Sequence, residues 1–146
     1  MAITTAKSRL RLGEPLAVGE NDIAASTLIP GGALVTVTSG GAAGYAKNAA
    51  TATTELVLGV AIKTYDNSSG AAAAMKVGYE CGDFEFENSA AADLIDIGDV
   101  GANVYIVDNN TVALTSGTST RSIAGKLVAM SPAGKPVVRV GLGFGS

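Results

Sequence analysis

Residue types able to do bond-making chemistry are sparse in this chain, and their spacing points to contact rather than catalysis. There is no histidine and one cysteine, Cys81. Lack of histidine removes the commonest general base and the usual transition-metal ligand. Cys81 falls in phase with Met75, Val77 and Tyr79, so it reads as a buried, inert thiol without an activating base. No Gly-x-Ser-x-Gly elbow, Ser-x-x-Lys pair or phosphate-cradling loop ending in Lys-Ser/Thr occurs, and no catalytic set or cofactor is assigned. Seven carboxylates, Glu80, Asp83, Glu85, Glu87, Asp93, Asp96 and Asp99, crowd one short stretch. They lack the alternating Asp/Asn spacing of a calcium loop, so no metal is assigned either. Asp83, Glu85 and Glu87 alternate along one face, which reads as a solvated row and a candidate surface for a basic partner. Near the start, Lys7, Arg9 and Arg11 alternate with Ser8, Leu10 and Leu12 until Gly13-Glu14-Pro15. That pattern predicts an extended arm over residues 1–15 with one basic and one apolar face and no hairpin partner of its own.

The elements that must position these residues are read from alternation. Leu56, Leu58, Val60 and Ile62 oppose Val57, Gly59, Ala61 and Lys63, which predicts a strand over 55–65 with a bulky and a small face. Met75, Val77, Tyr79 and Cys81 share a face of the next strand. Phe84 and Phe86 then take up the opposite phase, which predicts a bulge or bend at Gly82-Asp83. Asn88 or Ser89 is placed to cap a short helical turn through Ala90–Ile95. Two β-prone runs flank Asn109-Asn110, a pair suited to a two-residue type I′ turn. In that register Val107 opposes Val112 and Tyr105 opposes Leu114. Tyr105, Val107, Val112 and Leu114 then share one face and Val104, Ile106 and Ala113 the other, which predicts a central hairpin covered on both sides. Runs over 34–38, 123–130 and 137–142 bring the total to six or seven strands, the pattern of an all-β sandwich or barrel. The Gly/Ala/Ser-rich stretches 42–54 and 67–74 read as surface loops.

Composition bounds the remainder. The length of 146 residues suits one β domain over 16–146 following the arm, large enough to bury roughly two-thirds of its unfolded surface. A formal charge of −3 argues against nucleic acid, which needs clustered positive charge. No leading apolar segment or membrane-length run is present, which predicts synthesis in the cytoplasm and no membrane partner. Aromatic residues make up only 5% of the chain, so the core is built from small aliphatic side chains and leans on association with copies of itself or on a larger scaffold.

Several short motifs carry a family resemblance: Gly59-Val60-Ala61-Ile62, Tyr79-Glu80-Cys81-Gly82-Asp83-Phe84-Glu85-Phe86, Ile97-Gly98-Asp99 with Val104-Tyr105, and Ile123-Ala124-Gly125 with Val138-Arg139-Val140. Over residues 34–140 the chain resembles the capsid decoration proteins of tailed bacteriophages, also called head-stabilising or cement proteins, while residues 19–30 match none of that family's motifs. The resemblance implies a small β-sandwich or barrel-like domain of the β-tulip type with an extended N-terminal arm. It also implies a homo-oligomer, a trimer rather than a dimer, on the outer surface of the virion's head. The partner would be the major capsid protein, with Lys7, Arg9, Leu10, Arg11 and Leu12 as the capsid-binding arm, mobile until it docks. A recognition module displayed on the virion, such as a fibre base or carbohydrate-binding domain, is the competing class. It would need exposed aromatic residues, for which only Tyr45 and Tyr65 lie near candidate loops.

Overall fold

Short runs of β-branched and small aliphatic residues, broken every few residues by Gly, Pro, Asn or Ser, dictate many short strands rather than helices. The computed structural model describes residues 1–38 and 44–142. It contains eleven strands: β1 Arg11–Asp22, β2 Thr27–Ile29, β3 Leu34–Thr38, β4 Lys47–Asn48, β5 Glu55–Ala61, β6 Tyr65–Asn67, β7 Lys76–Glu85, β8 Asn103–Ile106, β9 Val112–Ala113, β10 Ile123–Met130 and β11 Pro136–Val140. Every strand pairing is antiparallel. Nine strands form one sheet along the path β4-β3-β5-β7-β11-β10-β8-β9, with β1 also on β7, while β2 and β6 pair separately. The path is open, so the all-β expectation holds as a sandwich-like domain and not as a closed barrel. Residues 42 and 43 of the predicted loop over 42–54 lie outside the described residues.

The sheet splits along β7. Tyr79 and Glu80 pair with Ala61 and Val60 of β5, whereas residues 82–85 pair with β11, so successive parts of one strand serve two groups of strands. Two cores result. The larger gathers Leu34, Val60, Phe84, Phe86, Ile106, Val112, Leu127 and Val138. The smaller gathers Ile23, Ile29, Val35, Leu58 and Val77, with Tyr65 and Tyr79 at its margin. This arrangement corrects the bulge expected at Gly82-Asp83. Simple alternation along β7 sends Val77 and Tyr79 into one core and Phe84 and Phe86 into the other, so the apparent change of phase is a change of core. The irregularity sits across from it in β1, between Leu12 and Ala17.

Two further local expectations change. The 107–111 connection is no two-residue type I′ turn: Ile106 pairs with Val112 and Tyr105 with Ala113, one residue out of the predicted register. Neither Asn109 nor Asn110 takes a positive φ. The Asp108 carboxylate accepts from both the Asn110 and Thr111 amides at 2.8 Å and shapes a longer loop in their place. A one-residue shift exchanges faces, so Val104, Ile106 and Val112 share the larger core with Leu114 against it. β9 ends the strand path, which puts this hairpin at an edge rather than the centre. Between β7 and β8 the chain makes two 3₁₀ turns, Ala91–Asp93 and Ile97–Asp99. Asn88 caps neither. Its side chain joins the Ser89 amide and both the amide and carbonyl of Ile95, while Asp96 and Asp99 form a reciprocal capping box around the second turn.

Candidate functional site

The first ten residues lie as a strap against the body and lead into β1 without a break at residue 15. Their basic side chains face inward. Arg9 donates from Nε to the Gly32 carbonyl at 2.8 Å, from one terminal nitrogen to the Glu85 carbonyl at 2.6 Å, and from the other to Asn110 Oδ1 at 2.8 Å. Its guanidinium also sits 4.5 Å from the centroid of the Phe86 ring. Burial lowers its pKa to about 10, opposed by the charges of Glu87, Glu85 and Asp108, so it stays a cation at neutral pH. The Lys7 amide donates to Gly31 O at 2.8 Å, and its ammonium group reaches Glu87 at 2.8 Å. Arg11 pairs with Glu80.

The far end of the strap is held by a polar loop. Asn109 Oδ1 accepts from the Ile3 amide at 2.8 Å while its Nδ2 donates to the Ile3 carbonyl at 3.0 Å, so one side chain satisfies both backbone groups of Ile3. Asn109 also donates to Asn48 Oδ1 at 2.9 Å, and Asn110 Nδ2 donates to the Met1 carbonyl at 2.9 Å. Both asparagines are nearly inaccessible, at 3% and 5% exposure. The loop is fixed to the sheet by Glu87 N donating to Asn110 O and Val112 N donating to Glu87 O.

Glu87, Asp83 and Glu85 do not form one free acidic face. Glu87 lies between Lys135 and Lys7, each at 2.8 Å, and their hydrogen bonds, that of Lys135 foremost, lower its pKa to about 2. Asp83 holds Arg139 in a two-pronged pair at 2.7 and 2.9 Å. Glu85 contributes its backbone carbonyl to Arg9. The other acids are dispersed: Asp93 accepts from Arg121 and Thr115, and Asp96 and Asp99 cap their own turn. Among the described residues no group of three or more His, Cys, Asp or Glu side chains could hold a metal ion, and no helix is long and apolar enough to cross a membrane. Cys81 is buried, its thiol donating to the Leu58 carbonyl at 3.1 Å, and burial raises its pKa.

Four exposed apolar side chains lie along the strap and β1, with Leu12 on the sheet face of its partner Asp83 and Val18 on the opposite face with Glu80. Leu10, Leu12, Leu16 and Val18 are 44%, 41%, 48% and 69% exposed. β7 is the one strand paired with β1 among the described residues, so the second edge of β1 has no described strand along it. A cleft of about 640 Å³ runs beneath the strap, lined by Lys7, Arg9, Arg11, Lys63 and Glu80 among others. A second, of about 490 Å³, opens beside Tyr105, Arg121, Ser116 and Ser119. Reading the sequence alone found the basic and apolar alternation of the arm but expected it to be mobile and without a partner of its own, whereas Lys7, Arg9 and Arg11 bond to the body. It also missed Asn109 and Asn110 as anchors. The signal was a run of four polar residues, Asp108 to Thr111, inside apolar flanks, which a turn explains equally well. Comparison of the chain with protein-family models, curated proteins and solved structures finds no match.

Proposed function

We propose that this chain is a structural protein of a tailed-phage virion that decorates the outer surface of the capsid and stabilises it by clamping neighbouring major capsid proteins. It acts without catalysis, cofactor, nucleic acid or membrane, and as a homo-oligomer, a trimer rather than a dimer. The observation that carries this reading is the exposed edge of β1, where Leu12, Leu16 and Val18 accompany backbone groups that no other described strand pairs. An edge of this kind takes an added strand, with main-chain hydrogen bonds setting register and the apolar side chains supplying burial. The resemblance of its short motifs to those of decoration proteins supports the major capsid protein as the partner. Leu10 and Leu12 keep the capsid-facing role expected of the arm, whereas Lys7, Arg9 and Arg11 hold the arm to its own body.

A sedimentation assay with emptied capsids tests the proposal. The wild-type chain pellets with them, and a Leu12→Ser, Leu16→Ser, Val18→Ser variant with an unchanged circular dichroism spectrum stays in the supernatant. Undiminished co-sedimentation of that variant would overturn the assigned edge. The competing class, a recognition module, has one feature in its favour, the cleft beside Tyr105 and Arg121. Tyr65 gives it little support, since the ring packs against the smaller core under Lys63.

A further inference from the structure

We propose that the Asn109–Thr111 loop, Glu87 and the Gly32 and Glu85 carbonyls form a receptor for an extended peptide, and that its occupant in the assembled state is the strap, residues 1–9, of a second copy of this chain. Strap exchange would then join copies to one another. The inference is independent of the capsid reading.

Four observations lead here. The receptor recognises backbone as much as side chain, since Asn109 satisfies both the amide and carbonyl of Ile3 and Asn110 donates to the carbonyl of Met1. It is specific at two side chains, because Glu87 takes Lys7 while the Gly32 and Glu85 carbonyls and Asn110 take the three donors of Arg9. Gly32 fits the strap closely: it has φ +86°, and a Cβ there would lie 2.1 Å from the Lys7 carbonyl oxygen. Finally, vacating the receptor takes the Ile3 partners from Asn109, which keeps its bond to Asn48, and the Met1 and Arg9 partners from Asn110, a loss that disfavours any open state in which nothing replaces the strap. An identical segment from a second copy restores every one of these bonds, so exchange costs little beyond association.

The chain also has a place to hinge. Between Leu12 and Ala17 the β1–β7 register breaks, Gly13 takes φ +72°, and Pro15 lacks an amide to donate. A change of direction there carries the strap away from its own body together with residues 10–12, whose pairing on β7 and Arg11–Glu80 contact are exchanged with it, while Ala17–Asp22 stays paired on β7. Few apolar contacts resist the departure: among strap residues Ile3 alone packs against a core, and Leu10 and Leu12 already face outward.

The test uses full-length chains in a Cys81→Ala background. An isotopically light Ile3→Cys chain is refolded together with a heavy Asn109→Cys chain and oxidised with diamide. Exchange predicts covalent light–heavy dimers in excess over a control whose heavy chain carries Lys126→Cys on the exposed face of β10. No excess, while a single chain carrying both Ile3→Cys and Asn109→Cys closes internally, overturns the proposal. Should the cysteine variants fold poorly, mixing Arg9→Ala and Asn110→Ala chains gives an independent reading. Exchange seats the intact strap of one in the intact receptor of the other and slows tryptic cleavage after Lys7 for half the chains. Cleavage at the average of the two separate rates refutes it. Both readouts are taken without capsids, so failure here leaves the sedimentation result standing, and the reverse.

Discussion

Arg9 offers the sharpest test of how the strap is held. Replacing it with alanine removes three hydrogen bonds from a charged donor, to the carbonyls of Gly32 and Glu85 and to Asn110 Oδ1, together with the contact on Phe86. Charged hydrogen bonds contribute about 1.5–3 kcal/mol each when net values are measured. The cleft beneath the strap lets water reach part of the vacated site, and burial of the cation already costs enough to depress its pKa. Taken together these leave a net loss of about 3 kcal/mol for Arg9→Ala. With a urea slope of about 1.5–2 kcal/mol per molar for a chain of this size, the unfolding midpoint should fall by about 1.5–2 M. Arg9→Lys keeps the charge but loses the planar fork, and should recover less than half of that difference. Equilibrium urea unfolding followed by far-UV circular dichroism measures both. A midpoint within about 0.3 M of wild type for Arg9→Ala would show that the strap contributes little to the folded body, as a free arm would.

The remaining predictions address acid, packing and partner binding. Because Lys135 and Lys7 lower the Glu87 pKa from 4.5 to about 2, its ionised form is favoured in the folded chain; that stability is complete above about pH 4.5 and is lost as pH falls toward 2. The shift corresponds to about 3 kcal/mol at full strength, reduced by solvent screening to about 1–2 kcal/mol, so Glu87→Gln should flatten the acid limb of a stability–pH curve between those values. Gly32→Ala combines an unfavourable φ with a collision on the Lys7 carbonyl, and should expose the strap to trypsin while Phe84 and Phe86 remain protected from hydrogen exchange. Leu12→Ser, Leu16→Ser and Val18→Ser should each leave thermal stability within about 0.5 kcal/mol of wild type, since these side chains are about half exposed, yet weaken capsid binding; a matched loss of stability would place them in the core.

What the sequence revealed and what it concealed follow from one physical distinction. Most strands of five or more residues with a clear period were legible: β3 and β10 were placed at their observed ends and β5, β7 and β11 within a few residues of theirs, whereas the 12-residue β1 was read as the end of an arm stopping at residue 15. β2, β4 and β6 are two or three residues long, too short for a period, and their placement depends on partners far away in the chain. β7 misled for a different reason. Alternation reports which side is apolar, and a strand that passes between two cores changes sides without bending. The Asn109-Asn110 pair misled because its side chains satisfy the strap rather than a turn, a tertiary demand invisible to local preference. The basic face of the arm followed the same rule: with two carboxylates, Glu87 and Glu80, and three uncharged acceptors waiting on the body, the charges turned inward and the leucines outward.

Electron cryo-microscopy of virions carrying this chain tests the central claim most directly. The account predicts density for its body on the outer surface of the head, with the β1 edge from Leu12 to Val18 against the major capsid protein and copies grouped about a three-fold axis. Density confined to the tail or a fibre, with the cleft beside Tyr105 and Arg121 turned outward, would contradict it.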